Sequence, residues 1–192
     1  VQAVILLTIA ASCTGPQGTR VVEHFQPAID SITLDDQGKL VIPATERGYL
    51  AVLPKSSIDG SILFIQGNRV DTTSGLEELS VLPAAEKAHL AVIFLSTGNP
   101  VDFLFHDSDL ARTDDLVQEA LTAADLSGKP CVLAGMSLAG TRAMRLARYC
   151  GEGRSKNKWT PAGVVLCDSP LDMVRFWRAD EKAKSRDANT IA

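Results

Sequence analysis

Four stretches of this chain are apolar with almost no alternation: SILFIQGN (61–68), LAVIFLSTGN (90–99), PCVLAG (130–135) and AGVVLCD (162–168). A strand with one face in water alternates apolar and polar side chains. A strand that is apolar throughout is buried on both faces, which requires a parallel sheet covered by helices. Between these runs lie segments with helical spacing. In DDLVQEALTAADLSG, Leu116, Val117, Ala120, Leu121 and Ala124 fall on one side, and Gly128 provides a stop. AGTRAMRLARYC follows the third run with a similar pattern. Alternating strands and helices predict an α/β fold, a doubly wound and mostly parallel sheet with helices on both faces.

The rest of the chain is assigned around that framework. KLVIPA (39–44) and YLAVLP (49–54), separated by TERG, read as an antiparallel hairpin. Residues 14–36 read as a polar lead-in, so the folded domain is expected over 37–192. LEELSVLPAAEKAHL is partly helical, with Pro83 as an interruption. DFLFHDSDLARTDD reads as an acidic loop, with Asp102, Asp107 and Asp109 in solvent, and GEGRSKNKW as a polar linker. SPLDMVRFWRADEKAKS reads as a helix capped by Ser169, with Pro170 in its first turn and Asp172 as the capping partner.

The first thirteen residues, VQAVILLTIAASC, are uncharged and apolar. They are too few to span a bilayer as a helix. They suit the apolar region of a secretion signal whose charged start is missing. AASC is similar to a bacterial lipobox, with Ala10 where leucine is usual, and this makes Cys13 a candidate for lipidation. The same run also fits a buried first strand or helix. With the first reading, the protein is expected to be exported to the cell envelope, secreted or attached to a membrane through Cys13.

Composition narrows the partners. The 192 residues include 45% hydrophobic and 22% charged side chains, with a net charge of -4. No basic stripe interleaved with aromatics appears, which argues against nucleic acid. The four cysteines form no CxxC pair and no cluster with histidine, so neither a structural zinc nor another metal is expected. Cys131 and Cys167 sit in apolar runs, where cysteine acts as a small hydrophobe.

One motif carries chemistry. In Gly135-Met136-Ser137-Leu138-Ala139-Gly140 a buried strand gives way to a helix. A serine at such a turn projects its hydroxyl above the sheet edge, and residues two places to either side must be small; Gly135 and Ala139 meet that demand. The helix start directs N–H groups toward developing negative charge, and the Leu138 N–H is a candidate oxyanion donor. The alternative is a packing turn with a capping serine.

GMSLAG between strand and helix resembles the nucleophile elbow of the α/β-hydrolase superfamily, with Ala139 in place of the commoner glycine. The resemblance extends to element order over 39–184 and implies a serine hydrolase of the esterase, lipase or peptidase kind. Such an enzyme cleaves an ester or an amide of a small molecule or peptide through an acyl-enzyme on Ser137, without a cofactor. It also implies a second oxyanion donor after SILFIQGN, near Asn68, where many esterases carry His-Gly instead. Asp168, at the end of the sixth strand, becomes a candidate triad acid. Phe176 and Trp177 become candidates for a lid or for the core.

In this family the order is serine, acid, histidine, yet His24, His89 and His106 all precede Ser137. Six strands are counted where the family sheet has eight. The chain is therefore expected to be a fragment lacking its catalytic histidine, and inactive alone. The competing expectation is a non-catalytic binding or scaffold protein on the same fold.

Overall fold

The computed structural model describes residues 20–27, 46–67, 81–99, 104, 106–167 and 169. Among them are six strands: β1 (Arg20–Pro27), β2 (Glu46–Leu53), β3 (Gly60–Gln66), β4 (Leu90–Ser96), β5 (Cys131–Met136) and β6 (Gly163–Cys167). Three helices connect them: α1 (Val81–Lys87), α2 (Asp107–Ala123) and α3 (Leu138–Gly151).

The strands form one sheet in the order β1-β2-β4-β3-β5-β6. β1 pairs antiparallel with β2, and β2 antiparallel with β4. β4, β3, β5 and β6 are mutually parallel. The doubly wound, mostly parallel arrangement expected from the apolar runs is the one observed. β4, whose seven residues are buried apart from a half-buried Leu90, lies inside the sheet, as its unbroken apolar sequence requires.

The direction of travel explains the layers. From β3 the chain crosses to β4 on one side, then returns past β3 to β5 and goes on to β6. Right-handed crossovers in opposite directions place their helices on opposite faces. Accordingly α1 packs through Ala85, Val81 and Leu82 against Leu50, Val92 and Phe94. The opposite face holds the larger core, where Leu116, Val117, Ala120, Leu121, Ala143 and Leu146 of α2 and α3 meet Leu63, Ile65, Ile93, Leu95 and Leu133.

Several local expectations are corrected. Both neighbours of β2, namely β1 and β4, run antiparallel to it, and β1 falls in the stretch read as a polar lead-in; KLVIPA lies outside the described residues. β1 has eight residues in register with β2, from Arg20 opposite Leu53 to Pro27 opposite Glu46. As an edge strand it tolerates Glu23, His24 and Gln26 among its apolar residues. His24 therefore does not precede the sheet but belongs to it.

The helix α2 begins at Asp107, within the expected acidic loop. Asp107 and Asp109 stand in its first turn, where negative charge suits the helix dipole. Asp107 is exposed, as expected, and pairs with Arg154, whereas Asp109 is half-buried and pairs with Arg112. Pro83 stands in the first turn of α1, where a missing N–H breaks no helical bond. Cys167 is exposed rather than packed as a hydrophobe, while Cys131 and Cys150 are buried. Asp102, Asp172, Phe176 and Trp177 lie outside the described residues, as does the expected helix after Ser169.

A buried carboxylate fastens the end of α3 to α2. Asp114 is fully buried and accepts hydrogen bonds from Ser155 Oγ (2.9 and 3.0 Å), Asn157 Nδ2 (3.0 Å) and Trp159 Nε1. The polar linker of the sequence thus supplies donors to a single charge, as a buried carboxylate demands.

Candidate active site

In an open α/β sheet the binding crevice opens at the carboxyl ends of neighbouring strands whose connections leave in opposite directions. Here those strands are β3 and β5. Ser137 follows β5 directly, at this crevice.

The backbone at Ser137 has φ 51° and ψ -130°. A side chain other than glycine is strained there by about 1–3 kcal/mol, and such strain persists only where the surroundings hold it. Four features hold it. The Ser137 N–H donates to Cys167 O at 2.9 Å, and the Gly140 N–H to Ser137 O at 3.0 Å. A Cβ on Gly135 would lie 2.5 Å from Gly140 Cα and N, so α3 can only cross this close over a glycine. A Cβ on Gly140 would lie 1.8 Å from Ser169 Oγ. The close approach therefore runs through Gly135 and Gly140. Ala139 is buried and belongs to the same close approach, since its carbonyl carbon would lie 2.6 Å from a Cβ on Gly135.

Ser137 occupies the N-cap position of α3, yet its side chain makes no capping hydrogen bond, and its φ and ψ are not those of an ordinary cap. The residue is exposed. This geometry speaks against the capping-serine alternative. No acidic residue stands in the first turn of α3, so the positive end of the helix dipole is left for an incoming anion. The Leu138 N–H belongs to that end.

Asn68 and Asp168 lie outside the described residues, as does Cys13. Gly67, one residue past β3, and Cys167, the last residue of β6, stand on the same edge of the sheet as Ser137.

His24 and His89 lie away from Ser137, and the neighbours of His106 are held along α3. His24 is on β1, four strand spacings from β5, or about 19 Å across the sheet. It lies 3.8 Å from Glu119 on α2. His89 precedes β4 at the opposite edge of the sheet, with φ 57°, and its Nδ1 is 3.3 Å from Ser57 O. His106 is the N-cap residue of α2. Its neighbours are anchored down α3: Leu104 O accepts from Arg145 Nε at 2.8 Å, and Asp107 pairs with Arg154. Arg145 is eight residues past Ser137, about 12 Å along a helix. These bonds tie the residues on either side of His106 to the later part of α3 and the segment after it.

Among the described residues, no group of three histidine, cysteine, aspartate or glutamate side chains could hold a metal ion. The Cys150 thiol is pushed up to about 12 by burial and then by the charge of Asp114, which makes it an unreactive core group.

No protein-family model and no curated protein matches the sequence. Solved structures do resemble the fold. A protein from Lactobacillus plantarum WCFS1 described as a carboxylesterase superposes with a TM-score of 0.53 at 15% identity, over 82% of this chain and 62% of that one. Vibralactone cyclase gives 0.54 at 10% identity, over 81% and 44%. Candida antarctica lipase A gives 0.51 at 9% identity, over 79% and 38%. The chain thus spans between 38% and 62% of the length of these structures. At such identities the likeness is one of fold. With the mixed six-stranded sheet and the turn after β5, it makes this an α/β-hydrolase fold.

Proposed function

We propose that the protein carrying this chain is a serine hydrolase that cleaves a carboxylic ester, or an amide, through an acyl-enzyme on Ser137. The observation that carries this reading is the strained, exposed Ser137 at the crevice of the sheet, with a hydroxyl not engaged in capping. Ser137 Oγ attacks the carbonyl carbon and gives its proton to a base. The negative oxygen of the tetrahedral intermediate takes a hydrogen bond from the Leu138 N–H and, in this proposal, from a backbone N–H near Asn68. Collapse breaks the bond to the leaving alcohol or amine, which receives the proton from the base. Water then releases the acid.

The base in this reading is a histidine supplied by polypeptide beyond these 192 residues, because His24 and His89 are positioned elsewhere and the neighbours of His106 are held along α3. On its own this chain is then inactive. Asp168, one residue past β6, is proposed as the acid that orients the base. The competing reading, a non-catalytic binding protein on the same fold, draws on that same displacement of the histidines. Export and lipid attachment at Cys13 remain part of the proposal, and the mass of the mature N-terminal peptide tests them.

Labelling of the full-length protein with a fluorophosphonate separates the two readings. Covalent modification at Ser137, abolished by Ser137→Ala with the fold intact, is the expected result. A folded full-length protein that takes up no label sinks the hydrolase reading and leaves the binding protein.

A further inference from the structure

Ser169 is the one described residue between Cys167 and the chain end, and it touches the elbow. It is half-buried in the notch that Gly140 leaves open. Its Oγ lies 3.2 Å from Cys167 O and 3.4 Å from Gly135 O. One hydroxyl proton is thus shared between two carbonyls. Cys167 O is the acceptor that also receives the Ser137 N–H. Gly135 is the residue over which α3 crosses. Both carbonyls bracket the strained φ and ψ of Ser137, one on its own strand and one on the neighbour.

We propose that Ser169 is a positioning residue for Ser137: its hydroxyl fixes the Cys167 and Gly135 carbonyls and so keeps the strained turn, and the nucleophile on it, in place. This rests on the reading of Ser137 as nucleophile. The physical reason is that a strained conformation is retained only if neighbouring groups exclude the relaxed one. Without the Ser169 hydroxyl, Cys167 O loses one of the two donors that fix its direction. The Ser137 N–H then follows a less constrained acceptor, and Oγ wanders from its attack position. Ser169 acts through the backbone and does not itself meet the substrate.

The test compares full-length wild type and Ser169→Ala in their reaction with a fluorophosphonate, separating the maximal rate constant from the half-saturating concentration. A hydrogen bond of ordinary strength predicts a fall of about two- to tenfold in the maximal rate constant. The half-saturating concentration and the labelled fraction at completion should be unchanged. In parallel, the Ser137 amide should exchange its hydrogen faster by a similar factor, while that of Leu133 in mid-β5 keeps its rate. A purely structural role would lower the labelled fraction or the melting temperature and leave the rate constant of the folded molecules alone. That outcome, or an unchanged rate constant, overturns the proposal. If Ser169→Ala fails to fold, Ser169→Cys fills the notch with a slightly larger side chain and a weak donor and should show the same fall. A wild type that takes no label refutes the nucleophile reading itself and removes the basis of this proposal; it shows before any substitution is made.

Discussion

Replacing Gly135 with alanine loads the tightest contact of the elbow. The new Cβ would lie 2.5 Å from both Cα and N of Gly140 and 2.6 Å from the Ala139 carbonyl carbon. Ordinary Cβ contacts begin at 3.4 Å, so the first turn of α3 must retreat by up to about 0.9 Å. All three obstacles are backbone atoms, which cannot rotate aside. Overpacking costs about 1–3 kcal/mol, and a rigid obstacle places Gly135→Ala at the upper end, about 3 kcal/mol. In a domain of this size each 1 kcal/mol moves the melting point by about 2–4 °C, so a fall of roughly 6–12 °C is expected. In the proposed mechanism the retreat also carries the Leu138 N–H away from the developing oxyanion. A misplacement near 1 Å lowers rate by about a hundredfold. Calorimetry and fluorophosphonate labelling of the full-length protein read the two effects. Gly151→Ala, at the end of α3 where a Cβ meets nothing within 4 Å, is the control and should melt at or slightly above wild type. If Gly135→Ala melts with wild type and labels at the same rate, close packing of α3 over β5 is not what holds the turn.

Two further outcomes test the frame behind the site. Asp114→Asn puts an amide nitrogen where a carboxylate oxygen accepts from Ser155 and from Asn157 or Trp159; a loss of roughly 2–4 kcal/mol in urea unfolding is expected, and an unshifted midpoint would show that α2 and the segment after α3 are held by other means. Among Cys131, Cys150 and Cys167, only exposed Cys167 should react with iodoacetamide in the native protein at pH 8. Cys150, with its thiol near 12, should react only on unfolding, and its alkylation in native protein would contradict the packing of α3.

The centre of the fold was legible because burial writes itself into sequence there. β4 is covered on both faces, and its run LAVIFLS carries no polar side chain except the last. β1 was not legible, since it lies at an edge and its burial pattern is irregular. In RVVEHFQP the polar residues Glu23, His24 and Gln26 mask Val21, Val22 and Phe25, which pack on the two cores. The start of α2 could have been found. Leu110 precedes Val117 by seven residues and shares its buried stripe with Thr113, but the surrounding aspartates and His106 suggested a loop.

The turn at Ser137 was readable for a related reason: strand, serine and helix follow one another within a few residues, so the local sequence specifies it. Part of what stabilises the turn is not local. Ser169 stands 32 residues after Ser137, and it acts on main-chain carbonyls, which no residue type reveals. Only the pairing of β5 with β6, Met136 opposite Cys167, brings the two serines to one place. The same reasoning governs the base. A crevice between β3 and β5 draws its side chains from the carboxyl ends of strands, whereas His24 is on the far edge strand, His89 at the opposite rim, and the neighbours of His106 are held along α3. In the proposed mechanism the base of Ser137 reaches this rim on another segment, beside the carboxyl end of β6, which Asp168 follows in sequence.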